Sequence, residues 1–284
     1  MVAPAWEKMG SLRALLSGMA RFERPSGQGP LAGREGARRI ERPGRNPAVL
    51  CIHGYGGVPG EVELCCDVAS ELGHRTVAPV LAGHGLTPRA LSPCRFEDWL
   101  SGVRVEFDQL RKDGPVILVG LSLGAVLATA LTLEAPGDVK GLALLANAFW
   151  LRDPFPGAAL DLYGKLGLPD FGLPKDRSDI GDPRGLAAHV SYDMQPVHAA
   201  ISVRRAGARL QEELFRIHCP TLILHGARDR VCPVDNAWKA AALMTEIQPR
   251  VVIFPRSHHI LTRDAERDAV RQELRDFLQH LGGP

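Results

Sequence analysis

From about residue 47 onward, short continuous apolar runs alternate with stretches in which apolar positions recur every three or four residues. The runs AVLCIH, TVAPVL, VILVG, GLALLAN, TLILHG and RVVIF begin at residues 48, 76, 116, 141, 221 and 250. Their length and β-branched content predict strands buried on both faces. Helices are predicted near residues 60–72, 96–112 and 235–245, and in the Ala- and Leu-rich stretch after Gly124. In the last segment Val270, Leu274, Phe277, Leu278 and Leu281 fall on one helical stripe. Strands alternating with helices give an α/β fold, a mainly parallel sheet with helices on both faces. Ligands of such sheets sit at the carboxyl ends of the strands.

The alternation breaks between residues 151 and 218, where FPGAALDLYGKLGLPDFGLP precedes a helical stretch with Val203, Ala206, Leu210, Leu214 and Ile217 on one face. An insertion after the fourth apolar run, the strand that follows the serine's helix, lies over the active end of the sheet, so residues 151–218 are expected to form a helical cap or lid. The core is then residues 46–150 and 219–284, and residues 1–45 form a basic, partly flexible N-terminal extension. There Trp6, Met9, Leu12, Leu16 and Met19 follow helical spacing, weakened by Gly10 and Gly18. Nine Lys or Arg against four Glu in this extension suit weak contact with a membrane surface, as well as plain packing or fraying.

The chemistry centres on PVILVGLSLG, residues 115–124, where a strand runs into Ser122 held between Gly120 and Gly124. G-x-S-x-G between a strand and a helix fits a nucleophile elbow, a tight turn that exposes the serine oxygen above a helix amino end. A serine needs a base, and the base a carboxylate that fixes its tautomer. Downstream, Asp229 follows the strand TLILHG, and the pair His258 and His259 follows RVVIF. Each candidate thus sits just past a core strand, in the order serine, acid, histidine. An oxyanion requires two N–H donors. Leu123, after the nucleophile, is one; Tyr55 in the loop HGYGG (53–57) is the other, through its main chain. His53 precedes the serine and is expected to brace that loop.

A net charge of +2 over 284 residues predicts no polyanionic partner, and nucleic acid is not expected to meet the main domain. The six cysteines form neither a C-x-x-C pair nor a zinc spacing, which suggests buried thiols in a reducing compartment. With no signal-peptide pattern and no bilayer-length apolar run, the expected location is cytoplasmic.

Taken together, HGYGG (53–57), PVLAGHG (79–85), FEDWL (96–100), GLSLG (120–124), HGARDRVCP (225–233) and SHHILTRD (257–264) resemble the α/β-hydrolase superfamily. The likeness is greatest to its branch of bacterial carboxylesterases and monoacylglycerol lipases and covers residues 47–281. That branch usually has Ser-Gly-His in the last motif, so the resemblance places the catalytic histidine at His259, with His258 replacing the glycine. It also implies a structural role for His84 and no requirement for a cofactor or metal. The expected activity is hydrolysis of small carboxylic esters with an apolar acyl chain, through an acyl-enzyme on Ser122, His259 and Asp229. A thioesterase or acyltransferase with the same triad is the alternative, followed by a non-catalytic binding protein of this fold.

Overall fold

The structure is a computed structural model that describes residues 31, 34, 36–152, 157–175 and 177–282. All six apolar runs form strands of one seven-stranded sheet. These are β2 (Arg45–Ile52), β3 (His74–Ala78), β4 (Val116–Leu121), β5 (Val139–Leu145), β8 (Thr221–Gly226) and β9 (Arg250–Phe254). The order is β1-β3-β2-β4-β5-β8-β9, and every pairing is parallel except that of β1 (Ile40–Arg42) with β3. Together with its helices this is the α/β-hydrolase fold.

β1 corrects the sequence-based boundary at residue 45. Its IER sequence is short and charged, which an edge strand tolerates and an apolar-run search passes over. Leu31 is buried, with its N–H on the Leu86 carbonyl, and Gly60 N–H donates to Gly36. These residues of the supposed extension therefore pack on the core. The amphipathic stripe at residues 6–19, and with it the expected membrane contact, lies outside the described residues.

The continuous apolar runs resolve into two faces. Leu50, Ile52 and Leu118 point to one cluster, Val49, Cys51, Ile117 and Val119 to the other. α1 (Glu63–Glu71) covers the second face with the last helix. α2 (Pro88–Leu91) is a single turn; α3 (Phe96–Leu110) and α4 (Leu123–Glu134) cover the first face. Eleven consecutive residues of α4 are buried, which explains why it is apolar all round rather than amphipathic.

The stretch between β5 and β8 holds α5 (Gly157–Lys165), β6 (Gly172–Pro174), α6 (Pro183–Ala188), β7 (Met194–Pro196) and α7 (Val197–Gln211). β6 and β7 form a separate antiparallel pair. The face predicted through residue 217 is buried, but α7 stops at Gln211 and the chain continues as a turn of 3-10 helix, Leu214–Arg216. α8 (Asp235–Leu243) and α9 (Arg267–Leu281) complete the fold, with Val270, Leu274, Leu278 and Leu281 buried. Among the described residues, no helix is long and apolar enough to cross a membrane.

Candidate active site

The sheet reverses its direction of growth between β2 and β4, since β3 lies outward of β2 while β5 lies beyond β4. Their carboxyl ends are where such a sheet opens a crevice. The HGYGG loop leaves β2 there, and Ser122 leaves β4.

Ser122 has φ 58° and ψ −113°, a backbone conformation disfavoured for a residue with a side chain. The glycines make the turn possible. A Cβ on Gly120 would lie 2.2 Å from the Gly124 carbonyl oxygen, and one on Gly124 would lie 2.0 Å from that of Ile52. Strand, elbow and helix thus touch backbone to backbone.

Ser122 Oγ lies 2.9 Å from His259 Nε2, and His259 Nδ1 lies 2.8 Å from Asp229 Oδ2. All three are buried. Asp229 Oδ1 accepts the N–H groups of Val231 and Cys232, both at 2.8 Å, so the loop after β8 fixes the carboxylate. Burial alone would favour a neutral acid, but the adjacent His259 and His225 hold Asp229 well below the usual carboxylate range. Burial likewise opposes an imidazolium at His259, and the Asp229 carboxylate overrides it, raising His259 well above its ordinary value. His258 turns away: its Nδ1 meets Asp264 Oδ2 at 3.0 Å. Of the adjacent histidines, the one facing the serine is His259.

In the loop after β2, Gly54 N–H donates to Glu61 Oε2 at 2.9 Å and Gly56 N–H to His84 Nε2 at 3.0 Å. Between them, the Tyr55 N–H has no acceptor among the described residues, and neither does that of Leu123. His53 Nε2 accepts from Leu81 N–H at 3.2 Å, so its proton sits on Nδ1, 2.9 Å from the Gly54 carbonyl. His84 is likewise an acceptor at Nε2, and burial pushes it down to about 3, which keeps it neutral in that role. Both histidines brace the loop.

Three further residues complete the constellation. Buried Glu61 bonds Gly54 and, through Oε1, His189 Nε2 at 2.8 Å. His225 Nε2 lies 3.2 Å from Asp229 Oδ2. Asp179, from the β5–β8 stretch, accepts Arg230 N–H at 2.8 Å and His259 N–H at 3.2 Å. Sequence reading missed all three. His225 lies inside its strand, Glu61 at the start of a predicted helix, and Asp179 in a stretch without periodicity. Donor atoms of Asp229, Cys232 and His259 lie within 4.8 Å of one another, a grouping that could hold a metal. His259, however, already directs both ring nitrogens to Asp229 and Ser122.

A cavity of about 270 Å³ opens onto Ser122 and His259. Leu160, Val197, Ile201 and Val203 make its wall largely apolar. Tyr192 ties the β5–β8 stretch to the rim: its hydroxyl donates to the Gly83 carbonyl and accepts from Leu86 N–H.

Known proteins share this arrangement of the chain. The thermostable monoacylglycerol lipase of Bacillus sp. (strain H-257) is 27% identical over 236 residues, covering 82% of this chain and 91% of its own. The carboxylesterase of Bacillus subtilis (strain 168) is 23% identical over 244 residues, covering 84% and 94%. A solved structure from the metagenome-derived lipolytic enzymes LipS and LipT superposes with a TM-score of 0.79 at 24% identity, over 87% of this chain and 98% of that one. Residues 44–266 match the family described as serine aminopeptidase, S33, and the chain belongs to that family, within the α/β-hydrolases.

Proposed function

We propose that this chain is a carboxylic ester hydrolase working through an acyl-enzyme on Ser122. The observation that carries the reading is the unbroken relay from Asp229 through His259 to Ser122, at 2.8 and 2.9 Å, facing a largely apolar cavity. The relatives named as a monoacylglycerol lipase and a carboxylesterase support the same chemistry.

Ser122 Oγ attacks the ester carbonyl carbon while His259 Nε2 takes its proton. The oxyanion accepts from the Tyr55 and Leu123 N–H groups. Collapse breaks the carbonyl carbon to alkoxy oxygen bond, and His259 returns the proton to the departing alcohol. Water, deprotonated by the same imidazole, then attacks the acyl-serine, releasing the acid and restoring Ser122. Asp229 holds the Nδ1–H tautomer and stabilises the imidazolium, without accepting the proton. Residues 151–218 act as the cap whose apolar wall receives the acyl chain.

The test is hydrolysis of a chain-length series of p-nitrophenyl and monoacylglycerol esters by wild type and Ser122→Ala, with fluorophosphonate labelling. Serine-dependent turnover and labelling at Ser122 are expected. Turnover that survives in Ser122→Ala, or wild type that neither turns over nor labels, refutes the reading. A thioester of matched acyl length run beside each ester measures the leaving-group preference.

A further inference from the structure

The cavity in front of Ser122 is not uniformly apolar. Lys175, Arg177 and Arg152 line it as well, beside Arg204 of α7. A pocket for a neutral alkyl chain has no need of such groups; Arg152 and Arg177 are exposed, while Lys175 is partly removed from water, which is unfavourable for a cation until it gains a partner.

Among the described residues, the carboxylates in the wall act on Lys175 through space but form no direct ion pair with Lys175, Arg177 or Arg152. Glu61 is committed to Gly54 N–H and His189, and Asp179 to Arg230 at 2.6 Å and the His259 N–H. Among the described residues, neither Arg152 nor Arg177 makes an ion pair, and the Lys175 ammonium has one hydrogen bond, to Ser191 Oγ at 3.3 Å. Burial lowers the Lys175 pKa, against the opposing fields of Glu61 and Asp179.

Lys175 and Arg177 lie just after β6, whereas Arg204 shares α7 with part of the apolar lining. Lys175 directly follows β6, its N–H held by the Asp193 carbonyl at 2.7 Å, and Gln195 of β7 lines the same cavity. The apolar groups come mainly from α5 and α7, through Leu160, Val197 and Ile201. Hydrocarbon contacts and cationic groups thus meet in one cavity.

We propose that the cavity takes amphipathic esters bearing a negative charge, a carboxylate or a phosphate, recognised by Lys175, Arg177 and Arg152. This rests on the ester-hydrolase reading and specifies its substrate class. The charge sits on the acyl part or on the alcohol part of the ester, and the two positions have separate tests.

Two matched pairs decide it: p-nitrophenyl hexanoate against mono-p-nitrophenyl adipate, and 1-hexanoylglycerol against its 3-phosphate. In at least one pair the charged member has a kcat/KM about tenfold higher at low salt, as expected for charge-assisted hydrogen bonds. High salt shrinks the ratio, and the Lys175→Met/Arg177→Gln variant brings it near one. Arg177→Gln alone, at a more exposed position, gives an intermediate ratio if the double variant folds poorly. The pair that responds locates the charge. Turnover of both neutral esters with no preference in either pair overturns the proposal while leaving the esterase reading intact. If no ester is turned over, the esterase reading fails by itself, and calorimetric titration of hexyl phosphate and hexanoate decides the charge site. Tighter binding to wild type than to the double variant upholds it; equal or undetectable binding overturns it.

Discussion

Replacing Glu61 by Gln keeps the shape of the side chain and removes its charge, which isolates what the charge contributes. Burial opposes ionisation of Glu61, yet His189, His53 and Lys175 lower its pKa from 4.5 to about 2. At 1.36 kcal/mol per unit, the ionised carboxylate stabilises the fold by about 3 kcal/mol near neutral pH. The sign follows from the depressed value. The stabilisation is fully present above the unfolded pKa of 4.5 and is lost as pH falls through 4.5 towards about 2. Urea denaturation of wild type and Glu61→Gln should therefore differ by about 3 kcal/mol near pH 7, shrinking by about 1 kcal/mol near pH 4. Because Glu61 also holds Gly54 beside the Tyr55 N–H, the variant should lose kcat more than it changes KM on a soluble ester. A stability difference that stays constant from neutral to acid pH, or a variant as stable as wild type, would refute the argument.

Further predictions concern the relay and its supports. Activity needs neutral His259, and its raised pKa places the acid limb of the kcat/KM profile above 6.5, with activity falling as pH drops through it; Asp229→Asn should move that limb down and lower kcat by about 10⁴-fold, measured across pH on one ester. Gly124→Ala forces a Cβ to within 2.0 Å of the Ile52 carbonyl, so thermal melting should show a loss of more than about 2 kcal/mol or failure to fold. Asp179→Ala strips the partner from the His259 and Arg230 N–H groups and should cost about 2 kcal/mol in urea denaturation, with a lower rate of fluorophosphonate labelling at Ser122.

The candidate site was legible where its geometry is local. G-x-S-x-G between an apolar run and an Ala-rich stretch specifies the elbow, because only glycine fits where an added Cβ would come within 2.0 to 2.2 Å of a backbone oxygen. Strand ends likewise placed Asp229 and the histidine pair in loops at one edge of the sheet, since parallel strands separated by helices all finish on the same side. Residues 40–42 were not legible as a strand, because three residues with two charges carry no apolar run.

What the sequence by itself determined was the alternation of buried strands and helices, the elbow at Ser122, and the residue types that reach the carboxyl edge. These follow from short-range patterns of burial and turn chemistry. Tertiary structure shows why His259, the histidine that the motif resemblance favours, faces the serine rather than His258: the neighbouring Asp264 draws the His258 ring away. It alone brought Glu61 to the loop of Tyr55, and Asp179 to the main chain of His259 across 80 residues of sequence. It also placed Lys175 and Arg177 on a wall facing Ser122. A buried carboxylate or cation finds its partners through space, and no periodicity along the chain encodes a meeting between loops so far apart.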